Sequence, residues 1–149
     1  MTDFVDLESC EAELLEDEQE DLFRQIPSHH WDGQLGRPRA AAFGPSDADQ
    51  GKASYSRSTK VTPEDSRTWH NDNARSASTG VFKVTVDEVV KATLRVIDDS
   101  ECPLPAGEKR APGHCFVDFQ HVDKKEQRRL RGLLLAHALA WGEIESQSA

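Results

Sequence analysis

Residues 112–142 read PGHCFVDFQHVDKKEQRRLRGLLLAHALAWG. The first third suits a strand, in which alternate side chains face opposite sides. Cys115, Val117, Phe119 and His121 then share one face, and His114, Phe116, Asp118 and Gln120 the other. The remainder suits a helix. Asp123 and Glu126 form a capping pair, and Leu130, Leu133, Leu134, His137, Ala138 and Trp141 recur at helical spacing. Leu135 and Leu139 widen the stripe, and Gly142 stands where helices commonly stop. The stretch predicts a strand over 114–122 and a helix over 123–142. The helix covers the apolar Cys115 face, leaving the His114 face free for recognition.

Working outward, Thr62-Pro63-Glu64-Asp65 is a helix start, with a capping hydroxyl, proline at the first helical position and acids complementing the dipole. Residues 80–84 and 93–98 read as strands. Between them, Thr85 and Glu88 form a capping box for a short helix over VDEVVK. ASYSRS at 53–58 alternates as a strand, and AAAF at 40–43 suggests a short strand. ECPLPAGEKRAPG, with its prolines and glycines, is an exposed loop. The expected fold is one α+β domain over 22–149, a mixed or antiparallel sheet packed on a long C-terminal helix. An acidic segment, helical or disordered, precedes it at 1–21; the leucines and Cys10 among the acids of 7–22 recur at roughly helical spacing.

A chain of 149 residues fits one domain. The net charge of −9 is uneven: residues 1–50 hold 13 acids and three bases, and the rest is nearly balanced. Such a chain repels nucleic acid at long range. The exception is a basic patch, Lys124, Lys125, Arg128, Arg129 and Arg131, in the first turns of the last helix. Positive charge there opposes the dipole at a cost of only a few tenths of a kcal/mol, so the cluster reads first as a solvated face and second as a surface for an acidic counterpart, with the N-terminal segment preferred to phosphate. No apolar run reaches membrane-spanning length and the N-terminus is acidic, so the expected location is the cytoplasm. The three cysteines are widely spaced, with no CxxC pair, and imply no disulfide framework. His114 and Cys115 point opposite ways and no second ligand pair accompanies them, so neither a metal nor a cofactor is expected.

Several short motifs occur in order: FRQIP at 23–27, AFGPSDADQGKASYSR at 42–57, TPEDS at 62–66, GVFKVTVDEV at 80–89 and PGHCFVDF at 112–119. Together they resemble a group of small uncharacterised bacterial proteins over residues 22–142. Arg24, Gln25, Phe43, Pro45, Asp49, Gly51, Ser54, His114, Asp118 and Phe119 carry the resemblance. It implies a partner-binding role and supplies no chemistry.

Two function classes follow. The preferred one is a non-catalytic accessory protein that binds another protein through the acidic helix and a polar sheet face of Arg24, Ser54, Arg57, His114 and Asp118. The alternative is a small enzyme acting on a nucleotide or its conjugate. The order Arg24, Ser54-Tyr55-Ser56-Arg57, Glu143-Ile144-Glu145 resembles that of ADP-ribosyltransferase-like folds, although both glutamates follow a helix rather than lying on a strand. Ser54 or Ser56 with His114 would also supply a nucleophile and base, without any nucleophile elbow, P-loop or HExxH pattern. Convergence of the five polar residues on a concave cleft separates the enzyme from the binding protein.

Overall fold

The computed structural model describes residues 13–16, 19–102, 104 and 109–146. Its strands are β1 (Glu13–Leu14), β2 (Asp21–Pro27), β3 (Trp31–Asp32), β4 (Arg37–Pro38), β5 (Lys52–Arg57), β6 (Ser78–Thr85), β7 (Arg95–Asp98) and β8 (His114–Asp118). Its helices are α1 (Pro63–Asn73), α2 (Val86–Lys91) and α3 (Lys124–Trp141). Six strands form an antiparallel sheet in the order β1-β7-β8-β5-β2-β6, and β3 and β4 form a separate ribbon. The chain is α+β, as expected.

The α3 stripe buries Leu130, Leu134 and Ala138 against one sheet face, in a core with Leu22, Ile26, Ala53, Tyr55, Val84, Cys115, Val117 and Phe119. The expected burial of the Cys115 face under the last helix therefore holds. Burial, with the nearby Asp98 carboxylate adding to it, raises the Cys115 thiol well above its usual pKa, leaving an inert free thiol. The opposite face holds a smaller cluster of Phe23, Val61 and Val81, with Ile144 against it, and carries α1.

Local chemistry fixes the helix ends. Thr62 Oγ1 accepts from the Asp65 amide, and Pro63 opens α1. Thr85 and Glu88 close a reciprocal capping box on α2. Asp123 caps α3 through the Glu126 amide, but the Glu126 carboxylate turns to Arg129, so that box is only half made.

Four expectations are corrected. The acidic stretch is not helical where it is described: Glu13–Leu14 pairs with β7, Leu15 is buried, and Asp21 and Leu22 open β2. Residues 1–12, Cys10 included, lie outside the described residues. AAAF forms a 3₁₀ turn, Ala40–Phe43, with Ala42 and Phe43 buried. β8 stops at Asp118, where the Asp118 carboxylate accepts from the Gln120 amide and turns the chain. Cys102 is disulfide-bonded, against the expectation of none. No described helix is long and apolar enough to cross a membrane.

Candidate functional site

Three strands in the centre of the sheet bring the site together. β7 and β8 are in register at Arg95↔Asp118 and Ile97↔Phe116. Continued by two residues, that register sets Asp99 opposite His114. β8 and β5 are in register at Ser54↔Phe116 and Ser56↔His114, so Ser54 lies diagonal to His114 on the same face. Ser54 Oγ is 3.0 Å from His114 Nε2, and Asp99 Oδ1 is 2.6 Å from His114 Nδ1. Serine, imidazole and carboxylate thus form one continuous hydrogen-bonded chain across three strands. The His114 side chain keeps 17 % of its surface exposed, so the chain is open to a ligand.

A cavity of about 850 Å³ opens over this chain. β5 contributes Lys52, Ser54 and Ser56, and β8 contributes His114 and Phe116. α1 supplies Trp69 and His70, and the loop after β7 supplies Asp99, Leu104, Lys109 and Arg110. Beneath it runs a second polar chain, from Ser78 Oγ to Gln25 Oε1 (2.7 Å), Gln25 Nε2 to Ser66 Oγ (3.0 Å) and Ser66 Oγ to Ser56 Oγ (3.3 Å). These groups are buried and satisfy one another, which makes Ser56 part of the floor rather than a free nucleophile.

The cavity lies where the sheet parts. β2 and β5 pair only at Leu22↔Arg57 and Phe23↔Ser56. Beyond that point the backbone edge of Ser54 meets a side chain instead of a strand. Arg24 donates from Nη1 to the Ser54 carbonyl at 2.7 Å and from Nε to the Ala42 carbonyl at 2.6 Å, with its guanidinium 5.7 Å from the Tyr55 ring centroid. Burial pulls the Arg24 pKa below the usual guanidinium value. In an antiparallel strand a residue's N–H and C=O point to the same edge. The Ser54 amide therefore faces the same gap as its carbonyl.

Of the five polar residues expected to share a face, Arg24, Ser54 and His114 line the cavity and two do not. Arg57 sits on the helix-covered side, in a network where its guanidinium meets Glu20 at 2.9 Å and Asp98 at 2.7 Å. Asp118 is buried and receives Arg95 Nε at 2.9 Å, the direct cross-strand pair at the far end of the same two strands. Both side chains are engaged in ion pairs away from this cavity, and Asp118 with Arg95 borders a second, smaller one. Glu143 and Glu145 do not line the cavity; their neighbour Ile144 bridges to Val81 on β6.

Two cations of the basic patch on α3 have carboxylate partners among the described residues, and neither partner belongs to the acidic segment. Arg129 pairs with Glu126 at 2.7 Å, and Lys124 reaches Asp47 at 3.3 Å. Arg131 donates to the Pro45 carbonyl and lies across Gly44. His29 and His30 share a 3₁₀ turn, and burial, aided by the neighbouring His29, lowers His30 to about 4. Among the described residues no group of three or more His, Cys, Asp or Glu side chains is placed to hold a metal.

Asp99, Trp69, Lys109 and Arg110 escaped sequence reasoning. The only signal was the acid pair Asp98-Asp99 at the end of a predicted strand, and it needed the β7–β8 register to acquire meaning. In comparisons with known proteins, the chain matches no family model, no curated protein and no solved structure.

Proposed function

We propose that the protein is a small serine-dependent hydrolase, with Ser54 as nucleophile, His114 as general base and Asp99 as the group that orients the imidazole. The unbroken hydrogen-bonded chain Ser54–His114–Asp99 at the floor of an open cavity carries the reading. When His114 Nδ1–H donates to Asp99, Nε2 is left as the acceptor facing the serine hydroxyl. Ser54 Oγ attacks an acyl carbonyl and passes its proton to Nε2. The imidazolium, steadied by Asp99, returns that proton to the leaving group. Water then repeats the sequence on the acyl-enzyme and restores the serine. The Ser54 amide and the Arg24 guanidinium, both at the parting of β2 and β5, supply positive potential for the developing oxyanion.

One observation favours the non-catalytic alternative, a face that recognises another protein through Arg24, Ser54 and His114. Ser54 lies within a regular strand rather than on the sharp turn that lifts a nucleophile in hydrolase elbows.

Labelling with a fluorophosphonate separates the two. The expected result is a single adduct on Ser54, located by tandem mass spectrometry and absent from Ser54→Ala and His114→Gln. Asp99→Asn should slow labelling by at least about tenfold, because the imidazole loses its enforced tautomer. Folded wild-type protein that forms no adduct would leave the recognition reading in place.

A further inference from the structure

The charge around the serine is opposite in sign to that of the chain. The protein carries a net −9, yet Arg24, Lys52, Lys109 and Arg110 line the cavity against two acids, Asp49 and Asp99. Both acids are committed. Asp49 Oδ2 accepts the Ser46 amide, and Asp99 holds His114 with Arg110 3.9 Å away. Two of the cations are not. Asp118, opposite Lys52 in the β5–β8 register, is taken by Arg95 and Gln120. Lys52 Nζ instead lies 5.6 Å from the Phe116 ring centroid, and neither it nor Lys109 meets a carboxylate among the described residues. Phe116, on which Lys52 rests, lines the cavity together with Phe23, Trp69 and Leu104, so these two lysines share it with a substantial apolar surface. A volume of 850 Å³ is that of a small-molecule site.

We infer that the cavity selects an organic anion: an acyl compound with an aromatic or apolar body lying on Phe116 and Trp69 and a carboxylate or phosphate group held by Lys52 and Lys109. The inference rests on the hydrolase reading for the acyl part and on charge alone for the anionic part. Focused positive potential in a cleft draws anions toward it against the repulsion of the acidic surface. The lysines are the specificity determinants, and Ser54 acts on the ester that they position.

The test uses a matched pair of rigid esters, the mono(4-nitrophenyl) ester of terephthalic acid and 4-nitrophenyl 4-methylbenzoate, which differ in charge at one end and cannot assist their own hydrolysis. The full chain should prefer the anionic ester by about tenfold in kcat/KM at low salt, the preference shrinking at about 0.5 M NaCl. Lys52→Met and Lys109→Met should each reduce the ratio, and Lys52→Glu should invert it. Lys109 stands on a loop, so its variant reads the ratio without touching the sheet. In parallel, Ser54→Ala is titrated calorimetrically with benzoate, phenylphosphonate and benzyl alcohol. The two anions should bind and the alcohol should not, and the stronger anion identifies the headgroup. Equal hydrolysis of both esters overturns the anion inference and leaves the hydrolase standing. No hydrolysis of either, with Lys52-dependent binding of an anion by Ser54→Ala, overturns the hydrolase and leaves the anion site. Neither hydrolysis nor binding removes both.

Discussion

At the scale of single residues, the candidate site depends on positions outside the cavity lining. Gly51 is one. Its φ of +82° lies in the left-handed region, and an added Cβ would stand 2.9 Å from the Gln120 Cα. Its carbonyl accepts the Phe119 amide at 2.7 Å, which starts the pairing of β5 with β8. Gly51→Ala should therefore cost about 1–3 kcal/mol in urea unfolding, since both the backbone conformation and the close approach oppose a side chain. It should also weaken Ser54 labelling, because the same pairing sets the serine diagonal to His114. Ser54 and His114 were legible in the sequence as polar residues of one sheet face, for each is a recognisable residue type on a recognisable strand, and both line the cavity. Asp99 was not, because a carboxylate at a strand end acquires a role only through its neighbour's register.

At the scale of elements, the best-read segments are those whose ends carry their own chemistry. Thr62, Thr85 and Asp123 each cap the helix that they announce. β2 was missed because acids mask the start of its period: Asp21 and Leu22 continue a charge-rich run, while the strand's partners lie more than thirty residues away. AAAF has no polar group to favour either state, and burial against α3 decides it. The helix caps also allow a comparison. Thr85→Ala should cost about 1 kcal/mol, the usual loss of an N-cap. Glu88→Ala should cost more. Its carboxylate receives the Thr85 amide at 2.9 Å and Trp141 Nε1 at 3.2 Å, and lies 3.2 Å from His137 Nδ1, tying α2 to α3. Thermal unfolding of the two variants side by side measures the difference.

At the scale of the whole molecule, one buried network joins the beginning of the chain to the middle of the sheet. Arg57 on β5 holds Glu20, just before β2, and Asp98 at the end of β7. Burial works to raise the Glu20 pKa, but the bonds from Arg57 and Thr59 outweigh it and hold the carboxyl below its usual range. Asp98 is likewise held well below that range: burial opposes the shift, and Ser100, then Arg57 and Lys60, overcome it. Both folded-state pKa values are depressed, so this stability is fully present above the ordinary carboxylate range and is lost as pH falls through the folded values. Glu20→Ala should therefore cost about 3 kcal/mol at neutral pH, and urea midpoints of wild type and variant should converge on acidification. None of this was legible beforehand, since the network joins residues 37 and 41 apart through strand order alone. Strand order has one further consequence. β6 is the last strand of the sheet, and Ile144 bridges its outer side at Val81, with the Ile144 amide donating to the Val81 carbonyl at 2.8 Å. β6 reads STGVFKVT; the Ile144 bridge occupies one of its edge carbonyls, at Val81, and Lys83 places a charge in the same strand, two devices that discourage a second chain from pairing there.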